Sequence, residues 1–402
     1  MKVLLAHNRY RLPGGEDEVF SREKELLRLA GHKVLEYTRD NHDIADRAIL
    51  GKIKVGVQAS WAFDSAKQLR SLLCRERPDV AHFHNTFPLI SPSAYYTCQE
   101  EGVPVVQSLY NARLMCPATF CLRDGRVCED CLGRALPWPG VLHGCYHDSH
   151  VQTAVVAGML MAHRVLRTWQ ERVDAYIVAT EFFRKKSIAA GLPSEKVYLK
   201  PHFLSADPGM KQGTGNYVLF MGRLAPEKGI PTLLKAWKTL RHIPLWICGE
   251  GPMKDDIVRL ADENPFVRVL PRLSRSECFE VMKGARFLVW PSEGYAETFG
   301  LVVIEAFACG TPVICSRLGA MEEVVDDKRT GLHFIAGDPV DLATKVDYAW
   351  THLDEVKEMG MAGRTEYESK YTAEPNYEAL LGIYERAIQN RFSARERSER
   401  VP

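Results

Sequence analysis

Short apolar runs recur along this chain, each followed by a stretch with helical spacing, and the whole series occurs twice. In the first half Val3 to Ala6, His32 to Tyr37, Val80 to Phe83, Val103 to Gln107 and Ala175 to Val178 read as strands. Helical spacing follows at Val19 to Leu29, Ala66 to Cys74, Val151 to Arg172 and Phe182 to Ala190. The irregular segment Pro201 to Gly215 reads as a linker. Beyond it Tyr217 to Met221, Pro244 to Cys248, Val267 to Leu270, Phe287 to Trp290 and Pro312 to Cys315 repeat the pattern. Strands that are apolar throughout, alternating with helices, demand a parallel sheet covered on both faces. Two doubly wound α/β domains facing each other across a cleft are therefore expected. The boundaries are 1–205 for the first, with a Cys-rich insert at about 112–150, and 206–372 for the second. Residues 373–402 form a terminal helix that packs back on the first domain, and a frayed SARERSERVP tail. In such sheets ligands lie beyond the carboxyl ends of the strands.

The 402 residues and 46% hydrophobic content can fill two cores. With 52 basic against 51 acidic residues, no global field calls for nucleic acid, and none is expected as a partner. MKVLLAHNRY is interrupted by polar residues before a signal-peptide core can form, and the uncharged run Val151 to Ala162 is too short to span a bilayer. A cytoplasmic location, soluble or peripheral to the inner face of the membrane, is the expectation. Eleven cysteines, odd in number and partly clustered, fit reduced thiols or a metal better than a secreted disulfide framework.

Three groups of residues fall at strand ends. Gly14 and Gly15 follow the first strand, where missing side chains let backbone N–H groups approach an anion; a plain tight turn is the competing reading. In MGRLAPEKG, Arg223 and Lys228 flank a turn after a strand and can clamp a diphosphate, Arg as a fork and Lys as a point charge. The third group is PSEGYAETFGLVVIEAFACG, from Pro291 to Gly310. There Glu297 and Glu305 stand eight apart beside an expected helix start near Phe299, and on such a helix they share one side. Two carboxylates beside free helix N–H groups suit a ligand with hydroxyls and phosphates.

Together with CGEGP at Cys248 to Pro252, these residues resemble the retaining glycosyltransferases of family four, the group 1 glycosyltransferases of GT-B fold, over nearly the whole length. The resemblance implies that Arg223 and Lys228 bind the donor diphosphate and Glu305 the ribose. It further implies that Glu297 meets the donor sugar and that the backbone at Phe299, Gly300 and Leu301 holds sugar and phosphate. Catalytic weight then falls on Glu297, Arg223 and Lys228, with Gly14 and Gly15 on the donor phosphates. No Asp-x-Asp pair advertises a bridging cation, so no catalytic metal is expected. On the acceptor side stand His84, in HFHNTF, and Tyr110, Asn111 and Arg113, in SLYNARLMCP. Related sequences carry His-Asn-x-Arg at that second place, and Tyr110 departs from it; a phenol is a poor base near neutral pH.

Within the insert, Cys116, Cys128, Cys131 and Cys145 form C-x11-C-x2-C-x13-C, whose central spacing suits a structural zinc, and Cys121 or His147 can substitute. The helix Val151 to Arg172, with Trp138 and Trp169, offers a surface for peripheral membrane contact against the alternative of a core-facing helix. The expectation is a retaining, metal-independent transferase. It moves sugar from a nucleotide-diphosphate sugar to a saccharide, lipid-linked or small-molecule acceptor in polysaccharide or glycoconjugate assembly. A sugar-nucleotide epimerase and a non-catalytic binding module are the alternatives.

Overall fold

The computed structural model describes residues 1–11, 14–44, 56–295 and 297–399, with side chains given through 393. The chain divides into two units: residues 1–119, 129–200 and 374–402 form the first, and 120–128 with 201–373 the second.

In the first unit β1 (Lys2–Arg9), buried from Val3 to Asn8, takes parallel neighbours on both sides. Val3 stands opposite Val34 of β2 (Lys33–Asp40) and opposite Val80 of β3 (Val80–Asn85). β4 (Val105–Ser108) joins β3. A short antiparallel hairpin follows, β5 (Leu122–Arg123) and β6 (Arg126–Val127), which belongs to the second unit. β7 (Ala175–Val178) and β8 (Val197–Leu199) complete the parallel order β2-β1-β3-β4-β7-β8. The helix Ala373–Glu399 sets Leu380, Ile383, Tyr384 and Ala387, a 3,4-spaced stripe, among Val3, Leu5 and Val80 in this core. It carries on through most of the segment expected to fray; residues 400–402 lie outside the described residues.

Two expectations are corrected here. The single helix over 151–172 is two, His150–Val165 and Thr168–Glu171, broken at Arg167 with φ +52°. His163 is buried at that break, its Nδ1 2.9 Å from Thr168 Oγ1 and its Nε2 2.9 Å from Ser60 O, and Trp169 is buried too, so neither faces outward. The insert also does not stay whole in the first unit. Phe120 O accepts from Tyr295 N at 2.7 Å, which ties 120–128 to the second.

In the second unit β9 (Val218–Met221), β10 (Leu245–Cys248), β11 (Val267–Val269), β12 (Phe287–Trp290), β13 (Val313–Ser316) and β14 (Gly331–Phe334) are all parallel. Their order is β11-β10-β9-β12-β13-β14. The strand order reverses between β9 and β12, and a crevice at such a switch point is where ligands of this sheet type sit. Ile230, Leu233 and Trp237 of the helix Ile230–Trp237 cover one face with Val218, Leu245 and Ile247.

Candidate active site

At the switch point of the second unit, three loops are pinned backbone to backbone. Gly229, at φ +72°, passes so close to Pro291 that a Cβ would lie 1.9 Å from its carbonyl oxygen, and Glu293 N donates to Glu227 O at 2.9 Å. A Cβ on Gly249 would meet Gly222 O at 1.8 Å. The glycines of MGRLAPEKG and CGEGP thus let the ends of β9, β10 and β12 converge.

The loop after β12 carries Glu297 into that convergence. Lys228 Nζ donates to Glu297 Oε1, as do Trp290 Nε1 at 3.1 Å and Ser292 Oγ at 3.0 Å. Burial pushes this carboxyl up, but the Lys228 charge and the three hydrogen bonds outweigh it and hold Glu297 below the ordinary range. An ionised carboxylate and an ammonium therefore stand in direct contact. Arg223, by contrast, extends outward with its side chain 58% exposed, 3.8 Å from Glu227.

The helix begins later than the sequence indicated. It spans Leu301–Ala308 after Gly300, which adopts φ +92°. Glu297 consequently lies in the preceding loop and only Glu305 rides the helix, so the two do not share a helical face. Glu305 pairs with Arg275 Nη2 at 3.3 Å. Phe299 is buried edge-on against Tyr371 and His202, at centroid distances of 5.6 and 5.0 Å, and fixes the turn into the helix; Leu301 is half-buried at its first position.

Gly14 and Gly15 belong to the first unit, where they open the helix Gly15–Leu29. Asp17 holds the start of that helix, accepting from Gly14 N at 2.9 Å through Oδ2 and standing 2.9 Å from His7 Nε2 through Oδ1. His84, Tyr110, Asn111 and Arg113 gather at the ends of β3 and β4, where they line a shared cavity. His84 Nδ1 is 2.7 Å from Tyr110 Oη. Asn111 Nδ2 donates to Glu16 Oε1 at 2.8 Å, and the Arg113 guanidinium lies 4.0 Å from the centre of the Phe87 ring. Burial raises the Glu16 carboxyl above its ordinary range, opposed by hydrogen bonds from Asn111 and Tyr10. Of the cysteines, Cys116, Cys131 and Cys145 lie in the first unit and Cys128 in the second. Cys131 is buried, its Sγ 3.8 Å from Pro137 O, and Cys128 N donates to Cys121 O at 2.8 Å.

Sequence reasoning missed Trp290, Ser292 and Arg275 as partners of the two glutamates. Trp290 reads as the last residue of an apolar strand, and only its ring nitrogen, at a strand's carboxyl end, hinted at another use.

The fold is of the GT-B class, two Rossmann-like α/β domains. Solved structures share it. Sucrose-phosphate synthase from Thermosynechococcus elongatus superposes with a TM-score of 0.69 at 18% identity, over 96% of this chain and 98% of that one. HepE of Anabaena, in complex with UDP, gives 0.65 at 15%, over 95% and 99%. Residues 206–366 match the family described as Glycosyl transferases group 1. It is 33% identical over 182 residues to the D-inositol 3-phosphate glycosyltransferase of Mycolicibacterium smegmatis, covering 43% of this chain and 41% of the relative. With an uncharacterized glycosyltransferase of Methanocaldococcus jannaschii the identity is 31% over 176 residues, 43% and 49% of the two chains. The chain spans about half the length, or less, of these curated relatives.

Proposed function

We propose that this chain is a retaining glycosyltransferase. It takes a sugar from a nucleotide-diphosphate sugar and passes it to a saccharide, lipid-linked or small-molecule acceptor in polysaccharide or glycoconjugate biosynthesis. The observation that carries the proposal is the ionised Glu297, held by Lys228, Trp290 and Ser292 at the β9/β12 switch point. Cleavage at the anomeric carbon leaves negative charge on the departing diphosphate and positive charge on the sugar. Lys228 and Arg223 stabilise the first, taking the part a divalent ion plays elsewhere, while Glu297 orients sugar hydroxyls and favours the second. Glu305, beside Arg275, holds the ribose hydroxyls, and the backbone at Phe299, Gly300 and Leu301 meets sugar and phosphate. Gly14 and Gly15 are assigned to the donor phosphates, and His84, Tyr110, Asn111 and Arg113 to the acceptor.

A thermal-shift screen of nucleotide sugars, followed by product analysis with and without acceptors, tests this. The expected result is stabilisation by one donor class, since a ligand that binds only the folded state raises stability by mass action, and transfer that needs an acceptor. Conversion of donor alone would mark an epimerase, and donor binding without turnover across a broad acceptor panel a binding module; either refutes the proposal.

For a lipid-linked acceptor, the support is an exposed apolar surface on the first unit. Trp138 is 51% exposed and Val151 75%, and Leu142 and Val165 are exposed too. Among the described residues no helix is long and apolar enough to cross a membrane. Sedimentation with anionic liposomes at low salt checks the contact, and absence of binding counts against it.

A further inference from the structure

The cavity of the first unit holds a cation whose charge the reading above leaves without a task. Arg113 is half-buried and lines that cavity together with Phe87, Leu114 and Met159. Its guanidinium lies against two rings, 4.0 Å from the centre of Phe87 and 5.4 Å from that of Tyr146, and the rings themselves meet edge to face with centroids 6.3 Å apart. Nη1 donates to Pro117 O at 3.3 Å, and the backbone N–H of Arg113 donates to Asn111 Oδ1 at 3.1 Å. The head group is thus held on a face and at one nitrogen. Nε and Nη2 have no acceptor among the described residues, and no carboxylate among them forms an ion pair with Arg113. Glu16 acts on the same charge without pairing with it: its Oε1 is taken by Asn111 Nδ2 at 2.8 Å, and burial raises its carboxyl above the ordinary range. Two other polar side chains of the lining are engaged within the protein. Gln107 Oε1 accepts from Tyr95 Oη at 2.5 Å while its Nε2 donates to His84 O and Ser108 O, and Asn85 donates to Asn8 O at 2.9 Å and accepts from Phe87 N at 3.0 Å.

We propose that the acceptor carries an anionic group, a phosphate or a carboxylate, and that Arg113 grips it through Nε and Nη2. A guanidinium offers donors and no lone pair, and its planar edge matches two oxygens of either anion. A sugar hydroxyl would satisfy one N–H and leave the charge uncompensated, which is costly beside walls such as Phe87, Leu114 and Met159. The Phe87 ring steadies the cation from one face and, with Pro117 O, fixes the plane of the fork, so little freedom is lost when the anion arrives. Glu16, drawn toward its neutral form, leaves that charge to the ligand. Arg113 is thus a specificity-determining residue. That the anion belongs to the acceptor rests on the glycosyl-transfer reading; that an anion binds here rests on the cavity itself.

The first test is a proton–nitrogen titration of the full chain labelled with 15N-arginine, the Arg113 Nε–H signal being assigned by its cross-peaks to the Phe87 ring and followed against glucose 6-phosphate, glucuronate and methyl glucoside. We expect the signal to move with a charged sugar at a concentration about tenfold or more below that needed for methyl glucoside, the margin of a charge-assisted fork over a neutral contact. A response to the phosphate, the carboxylate or both supports the proposal and names the source of the anion. A signal unmoved by either anion, or moved equally by methyl glucoside, overturns it and needs no variant to fold. In transfer assays with the same three acceptors, Arg113→Gln should raise KM for the charged ones about tenfold while kcat stays within about twofold, and Arg113→Lys, which keeps the charge and loses the fork, should fall between. Parallel losses on all three acceptors would mean that Arg113 only supports the loop, and would overturn the proposal. An anion-dependent shift without transfer to any acceptor keeps the anion site and refutes glycosyl transfer, whereas transfer with an unmoved Arg113 signal refutes the anion site alone.

Discussion

Gly300→Ala separates the role of the strand-end tryptophan from that of the helix it faces. Gly300 stands at φ +92° before the helix Leu301–Ala308, and a Cβ there would come within 2.2 Å of Trp290 Cζ2 and 2.4 Å of Cη2. Trp290 is 3% exposed at the end of β12, with little room to withdraw, and its Nε1–H donates to Glu297. An L-residue in left-handed backbone costs about 1–2 kcal/mol. Forcing the methyl against a buried indole adds about 1–3 kcal/mol. The sum, about 2–5 kcal/mol, should lower the transition of the second unit by roughly 10 °C, at about 2–4 °C per kcal/mol for a domain of this size. The displaced ring also removes a donor from an ionised carboxylate, a bond worth about 1.5–3 kcal/mol, so turnover should fall about ten- to a hundredfold. Gly337→Ala is the matched control, since Gly337 has φ +77° but no atom within 4 Å of the added Cβ. It bears the backbone cost without the collision. Scanning calorimetry and turnover on the three proteins give the answer. Equal losses of stability in both variants would refute the collision with Trp290, and full turnover in a folded Gly300→Ala would refute the link from Trp290 to Glu297.

Glu297→Gln should lower turnover by about two orders of magnitude while leaving nucleotide affinity within about threefold, because the interaction serves the transition state. Glu305→Ala should do the reverse, weakening nucleoside diphosphate binding about tenfold by calorimetry, as expected for one lost hydrogen-bonded contact; two variants behaving like wild type would sink the assignment. Lys211, whose Nζ donates to Ala285 O and Arg286 O, is lowered to about 8 by burial. Between that value and about 10.4 for an unfolded lysine the unfolded chain binds more protons, so stability rises with pH. From pH 7 to 9.5 wild type should gain about 1–2 kcal/mol that Lys211→Met does not gain, and parallel melting curves would contradict it. The cysteine-rich insert is proposed to hold one structural zinc. Elemental analysis of protein purified without added metal should find about one equivalent, a chelator should lower Tm, and less than a tenth of an equivalent would rule the site out.

The alternation of strand and helix was legible because burial on both faces makes parallel strands read as unbroken apolar runs, as in Phe287–Trp290. Where a strand is short or edge-like the signal fades. Val197–Leu199 exposes Leu199, and Gly331–Phe334 contains a glycine and a histidine, His333, whose burial is made tolerable by a 2.7 Å contact from Nε2 to Val325 O. The helix Ser93–Glu100 escaped notice because SAYYTCQE has no apolar periodicity, its tyrosines being used in the core and as hydroxyl partners.

The site divides along the same line. Arg223, Lys228, Glu297 and Glu305 could be picked out because each falls just past a strand or on the helix that follows one. Pairings across the chain could not: Lys228 meets Glu297 over 69 positions and Lys200 meets Glu23 over 177. Even the eight-residue spacing of the two glutamates misled, because Gly300 delays the helix until Leu301. That delay separates their chemistry. Glu297 is fixed by three side-chain donors in a loop at the switch point, where small shifts of Trp290 or Lys228 reach it directly. Glu305 is carried by a helix and answers to Arg275. A perturbation at Trp290 should therefore change turnover at constant nucleotide affinity, and one at Arg275 should change affinity at constant turnover.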